Sequence, residues 1–167
     1  NEFVEAIAGL RPVVSGQVIV NGREVTNESP LNVRKAGLAH VPSDRIATGL
    51  SVRQSVAENL LAGKHGRGEF RRGWLLNRAA IRAHGERLIE RFDVRGPGPD
   101  SPALALSGGN MQKLVIAREM AHDAPLLIAS LPTRGIDIGA IEMVHKHLIA
   151  ARNEGKGILV VSSDLDE

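Results

Sequence analysis

An α/β fold, a parallel sheet flanked by helices with a helical subdomain inserted into it, follows from the order of segments along this 167-residue chain. Three observations predict it. Short apolar runs at Leu38–Val41, Leu126–Ala129 and Gly157–Val161 alternate with helix-length segments at Ser107–Ala121 and Asp137–Asn153, the pattern of strand–helix–strand crossovers. From Ser43 to Leu106 the character changes to helices joined by Gly-rich and Arg-rich loops. Near the start, Asn21-Gly22 sits between two strand-like stretches. The expected division within one domain is an α/β core of residues 1–42 and 125–167 around a helical subdomain of residues 43–124.

Each element has a local cause. Phe3, Ile7 and Leu10 fall at spacings of four and three, which predicts one apolar helical face ended by Gly9 and Pro12. The chain begins at Asn1 inside this helix and therefore reads as a fragment. Asn21-Gly22 accepts the positive φ values of a tight turn, so Gly16–Thr26 is expected to be an antiparallel β-hairpin. Ser29-Pro30 supplies an N-cap with proline at the first helical position, and Gly37 closes the short helix that follows. Within the helical region, Ser55–Leu61 and Arg78–Phe92 are the clearest helices. Four glycines between Gly63 and Gly73, and the Gly96-Pro97-Gly98-Pro99 stretch, read as flexible joints. Trp74 is expected to anchor a small core of the helical subdomain.

Composition narrows the function. With 43% apolar residues the chain can bury roughly two-thirds of its unfolded surface around one core. Charged residues of both signs are interspersed, 21 Lys and Arg against 19 Asp and Glu, which excludes a charged disordered tail. No cysteine is present, so disulfides and thiolate metal sites are excluded. No apolar run approaches the ~18 residues that a membrane-spanning helix needs. Aromatics are only 2%, which with the small net charge argues against stacking on single-stranded nucleic acid.

The most specific string is Leu106-Ser107-Gly108-Gly109-Asn110-Met111-Gln112-Lys113, a serine and two glycines opening a helix. Glycines let an anion approach the unpaired N–H groups of the first turn, where the helix dipole adds partial positive charge, and Ser107 can cap the helix or donate to a phosphate oxygen. The string resembles the signature sequence of ATP-binding-cassette (ABC) ATPases, and the resemblance runs at matching order and spacing over essentially the whole chain. It implies a P-loop NTPase-like core with a helical signature subdomain. It also implies a head-to-tail pair in which the signature closes over the phosphates of ATP held, with Mg2+, by an opposing nucleotide-binding domain. Asn110, Pro132-Thr133-Arg134-Gly135-Ile136-Asp137, and Pro42 followed by Asp44-Arg45 resemble the second cassette of tandem importers for simple sugars and nucleosides. The stretches Met111–Glu119 and Phe92-Asp93-Val94-Arg95 lean toward the nucleoside branch. The implied partners are the other nucleotide-binding domain, transmembrane permease subunits contacted around Ser43–Ser55, and indirectly a periplasmic or extracellular solute-binding protein. The implied place is the cytoplasmic face of the cell membrane, peripherally bound.

Against that family pattern the chain lacks its own hydrolytic parts. A phosphate loop needs G-x-x-x-x-G-K-[ST], and neither Gly63-Lys64 nor Gly155-Lys156 continues correctly. By resemblance that loop would precede Asn1. Hydrolysis also needs a carboxylate for magnesium and a base for water at a strand end, and those positions are Ser130 and Leu131. The glutamine-loop position is Ser43 and the switch-histidine position is Ser163. The resemblance therefore implies a hydrolytically silent site of its own beside an intact face, Ser107, Gly108, Gly109, Asn110 and Asp137, offered to the partner's ATP. Two alternatives stay open: a competent ATPase cut at its phosphate loop, and a cassette of a soluble nucleic-acid machine.

The remaining candidates have plainer readings. His145 and His147, two apart on a helix, face apart and read as surface residues and not as a metal pair. Glu86, Arg87 and Glu90 read as exposed ion-pair partners, and Arg67, Arg71 and Arg72 as a solvated loop. Asp164, Asp166 and Glu167 read as a cap or solvated end.

Overall fold

The computed structural model describes residues 2–163. Helix α1 (Glu2–Ile7) leads into a hairpin of β1 (Ile19–Val20) and β2 (Arg23–Glu24), then α2 (Pro30–Lys35) and β3 (Leu38–Val41). The helical region holds a π-helical turn (Arg45–Gly49), α3 (Val56–Leu61), a second hairpin of β4 (Arg71–Arg72) and β5 (Leu75–Leu76), and α4 (Arg78–Arg91). Helix α5 (Gly108–Met120), β6 (Leu126–Ser130), α6 (Ile138–Asn153) and β7 (Gly157–Val161) complete the order.

The caps and turns form where the residue types require them. Asn21 and Gly22 both take positive φ, 51° and 75°, in the two-residue turn joining β1 to β2. Ser29 caps α2 by accepting from the Asn32 N–H, with Pro30 at the first helical position. Ser55 and Glu58 form a reciprocal capping box at α3. Asn77, Ser107 and Asp137 cap α4, α5 and α6 through their side-chain oxygens.

Strands β3, β6 and β7 form one parallel sheet in the order β3-β6-β7, with Val41 opposite Ala129 and Ser130 opposite Val161. Parallel neighbours need long crossovers, and the whole helical region plus α5 supplies the first while α6 supplies the second. The period-2 alternation divides the sheet cleanly. Ala39, Val41, Leu127 and Ala129 enter the main core with Leu60, Leu114, Val115 and Val144, whereas Leu38 and Ile128 join Val4, Val20, Val25 and Val33 on the other face.

A buried ion cluster ties three elements together. The Glu119 side chain on α5 is fully buried and receives Arg34 of α2 and Arg118 at 2.8 Å each, while the His40 amide of β3 donates to it at 3.3 Å. Burial pushes the Glu119 carboxyl up, but the two guanidiniums outweigh it and hold it below the ordinary range.

Four expectations are corrected. Phe3 and Leu10 are 65% and 58% exposed, and the buried positions of the first segment are Val4 and Ala8, with Val4 packed on α2 and the hairpin and Ile7 partly buried beside it. Trp74 is 84% exposed at the tip of the second hairpin, where Gly73 with φ 62° makes the turn. Phe70 is the anchor instead, buried against Ala57, Leu61 and Ile81 with its ring edge-on to His84 at 5.0 Å. The stretch read as a flexible joint is thus ordered into a helical turn and a hairpin, because Phe70 docks on α3 and α4. His147 is half-buried against the Phe92 ring at 4.5 Å and His145 is also half-buried, because α6 packs on the core along Val144 and Leu148. On α4, Glu86 pairs with Arg82 at 3.0 Å, one turn before it.

Candidate nucleotide-facing sites

The parallel register places the C-terminal ends of β3, β6 and β7 along one edge, where open α/β sheets bind ligands. Ser43 follows β3 after Pro42, Ser130 is the last residue of β6, Leu131 comes next, and Ser163 lies two residues past β7. Leu131 takes a left-handed φ of 47° and donates its N–H to Val161 O at 2.7 Å. Ser130 is 3% exposed and its hydroxyl has no hydrogen-bond partner among the described residues. Of the four residues gathered here, three offer neutral hydroxyls and one an alkyl chain. This donor set carries no anion to hold magnesium and no base for water, and so does not fit a hydrolytic metal centre.

The second cluster is built on two helix starts. Ser107 Oγ accepts from the Asn110 amide at 3.4 Å and from Asn110 Nδ2 at 2.9 Å, while Asn110 Oδ1 accepts from the Arg95 amide at 2.7 Å. Asp137 Oδ1 accepts from the Ala140 amide at 3.0 Å to start α6. Gly108 and Gly109 form the first turn of α5, whose N–H groups an α-helix leaves without intrahelical partners. A Cβ would be crowded at both glycines: on Gly108 it would lie 2.8 Å from Arg45 Nη2, and on Gly109 2.9 Å from Asp137 Oδ2. A cleft of about 350 Å³ runs between the helix starts, lined by Asp93, Arg95, Asn110, Lys113, Asp137 and Gly139 among others. Lys113 Nζ donates to the Asp93 carbonyl at 2.9 Å and its carboxylate at 3.0 Å. With Arg95, this holds the Asp93 carboxyl below its usual range. Exposed donors, unpaired first-turn amides and a helix dipole fit a phosphate approaching from outside.

Ser107, Gly108, Gly109, Asn110 and Asp137, expected from the sequence, therefore come together, and Ser43, Ser130, Leu131 and Ser163 form a separate group at the sheet edge. Sequence reasoning missed what links the loops. Arg45, which follows Ser43 by two residues, donates to Arg134 O at 2.9 Å and Gly135 O at 3.1 Å. Buried Gln112 donates to Pro132 O at 2.8 Å. The Asp44-Arg45 pair after Pro42 was the available signal. Asp164, Asp166 and Glu167 lie outside the described residues.

Residues 2–134 match the family model described as ABC transporter, and the chain belongs to that family. It is 45% identical over 166 residues to the nucleoside import ATP-binding protein NupA of Lactococcus lactis, covering 99% of this chain and 33% of that protein. It is 44% identical to the glucose import ATP-binding protein TsgD13 of Haloferax volcanii, over 99% of this chain and 30% of that one. With the guanosine import ATP-binding protein NupO of Bacillus subtilis the identity is 40%, over 100% and 33%. The chain thus spans about a third of the length of the curated relatives it matches. In fold it matches a dimeric ATP-binding cassette in a post-hydrolysis state bound to ADP and Pi, with TM-score 0.76 at 19% identity over 98% of this chain and 69% of that one. A nucleotide-free cassette from an ABC transporter matches with TM-score 0.76 at 22% identity over 98% and 66%. Among the described residues no helix is long and apolar enough to cross a membrane.

Proposed function

We propose that this chain is part of the second cassette of an importer for nucleosides or simple sugars and completes an ATP site held mainly by another cassette. In this reading Ser107, Gly108, Gly109 and Asn110 face the partner's ATP and Mg2+ phosphates, with Asp137 beside them at the seam. The chain's own sheet-edge site is hydrolytically silent. The importer's permease subunits would dock from the membrane side near Ser43–Ser55, with a solute-binding protein upstream. The cassette would then lie peripherally on the cytoplasmic face.

The observation that carries the reading is the contrast between the two clusters. The outward helix starts keep exposed Ser107 and Asp137 and two side-chain-free positions, whereas β6 ends in a buried serine without a partner among the described residues, followed by leucine. Bound nucleotide supplies the scissile phosphate, and this chain's residues bind and orient it. Ser107 Oγ can donate outward because its hydrogen-bond partners within the chain use it as an acceptor. The first-turn amides of α5 stabilise negative charge, and the glycines let the backbone approach.

The test is steady-state Mg-ATP hydrolysis by the full-length protein with Ser107→Arg, whose side chain would occupy the approach to α5. Turnover should collapse by about 100-fold, as expected for losing an anion-stabilising edge. Unchanged turnover would overturn the proposal.

A further inference from the structure

We propose that Arg45 is the positioning residue that locks the Leu131–Asp137 loop against the start of α5, so that the Ser107–Asn110 edge and Asp137 act as one rigid unit. The proposal rests on the reading of that edge as the face offered to a partner's ATP.

The loop leaves β6 at Leu131 in a left-handed conformation and must reach the Asp137 cap of α6. Its first half is pinned by backbone bonds, Leu131 N–H to Val161 O at 2.7 Å and Arg134 N–H to Leu131 O at 3.1 Å, and by Gln112 donating to Pro132 O at 2.8 Å. Its end is pinned by the Asp137 cap. The middle carbonyls, Arg134 O and Gly135 O, receive Nη1 and Nη2 of Arg45 at 2.9 and 3.1 Å. Two bonds from one planar fork fix orientation as well as distance, which a single ammonium cannot do.

The arginine itself is launched from a fixed point. Asp44 Oδ1 accepts from the Ile46 and Ala47 amides at 2.9 and 2.8 Å, capping the π-helical turn that Arg45 opens. A π-helical turn is a costly local geometry that recurs near functional sites. The guanidinium then lies on Gly108, where a Cβ would come within 2.8 Å of Nη2 and 3.6 Å of Gly135 O. Gly135, with φ +66°, turns its bare face to the same group, 3.8 and 3.9 Å from where a Cβ would stand. One side chain thus joins three loops that are remote in sequence and lies over the bare face of Gly108.

The experiment uses the full-length protein carrying Arg45→Ala, Arg45→Lys, Gly108→Ala or the Arg45→Ala/Gly108→Ala pair, with Ser107→Arg as reference. Amide hydrogen exchange in the nucleotide-free protein should show residues 133–137 exchanging about tenfold faster in both Arg45 variants, with the α5 and β6 interiors unchanged. In Mg-ATP hydrolysis kcat should fall about tenfold with KM within about threefold, and lysine should not rescue. In exchange at residues 133–137, Gly108→Ala should reproduce the effect of Arg45→Ala, and the double variant should exchange no faster than the faster single variant, because both remove one contact. Gly108 also belongs to the phosphate-facing edge, so its turnover is not part of this comparison. Unaltered exchange at 133–137, an unaltered kcat in the Arg45 variants, rescue by lysine, or exchange effects that multiply in the double variant would each overturn the proposal. If Ser107→Arg leaves turnover intact, the reading of the edge fails, and the exchange data alone then decide whether Arg45 holds the loop.

Discussion

Gly109 and Asp137 face each other so closely that a Cβ on the glycine would lie 2.9 Å from Asp137 Oδ2 and 3.1 Å from Ala140 Cβ. The two helix starts that make up the outward face are therefore spaced by the absence of one side chain. Gly109→Ala should displace the Asp137 cap and cost about 1–3 kcal/mol, the usual range for overpacking, which the better helix propensity of alanine offsets only in part. Urea unfolding measures this, and wild-type stability in the variant would show that α6 can shift freely.

The Ser130 hydroxyl is buried and has no hydrogen-bond partner among the described residues, so removing it relieves a desolvated group and breaks no bond among them. Ser130→Ala is expected to unfold within about 0.5 kcal/mol of wild type or slightly above it. Hydrolysis by the full-length protein should be unaltered. A turnover loss would assign the hydroxyl a chemical role.

The same burial logic separates two aromatics four residues apart. Phe70 is 2% exposed and Trp74 84% exposed. Phe70→Ala should cost about 3–5 kcal/mol, whereas Trp74→Ala should stay within about 0.5 kcal/mol, both read from chemical denaturation.

His122 provides a pH signature. Burial first, then the Arg34 charge, lowers its pKa from 6.5 to about 4, and its ring nitrogen meets the Ala62 carbonyl at the end of α3 at 3.2 Å. Between these values the unfolded chain binds a proton that the folded chain refuses. Stability should therefore rise with pH from about 4 to 6.5 and flatten above. His40, His84 and His147 are also lowered by burial and contribute in the same direction. His122→Gln should reduce the slope without abolishing it, and an identical slope in the variant would show that His122 is not held neutral.

Much of what near neighbours govern was legible in the sequence: the Asn21-Gly22 turn, the Ser29-Pro30, Ser55 and Ser107 helix starts, the three apolar strands and the Ser-Gly-Gly string; the hairpin turn at Gly73 and the Asp44-capped turn, equally local, were not read. These depend on hydrogen bonds and periodicities that span about four residues, so spacing alone encodes them. The same local logic failed where burial depends on what arrives from far along the chain. Phe3 and Leu10 keep helical spacing yet face outward, and Trp74, the largest apolar side chain, sits exposed at the tip of the second hairpin.

The sequence by itself thus determined the main strands and helices, several of their caps and the residue types available to meet a phosphate. Only the tertiary structure decided that Ser43, Ser130, Leu131 and Ser163 share one edge, because parallel pairing aligns strands separated by long crossovers. It alone also decided that Arg45 reaches Arg134 and Gly135, 89 and 90 residues away, over the bare face of Gly108. Such contacts carry no period or short spacing; they exist only once the sheet and helices have packed.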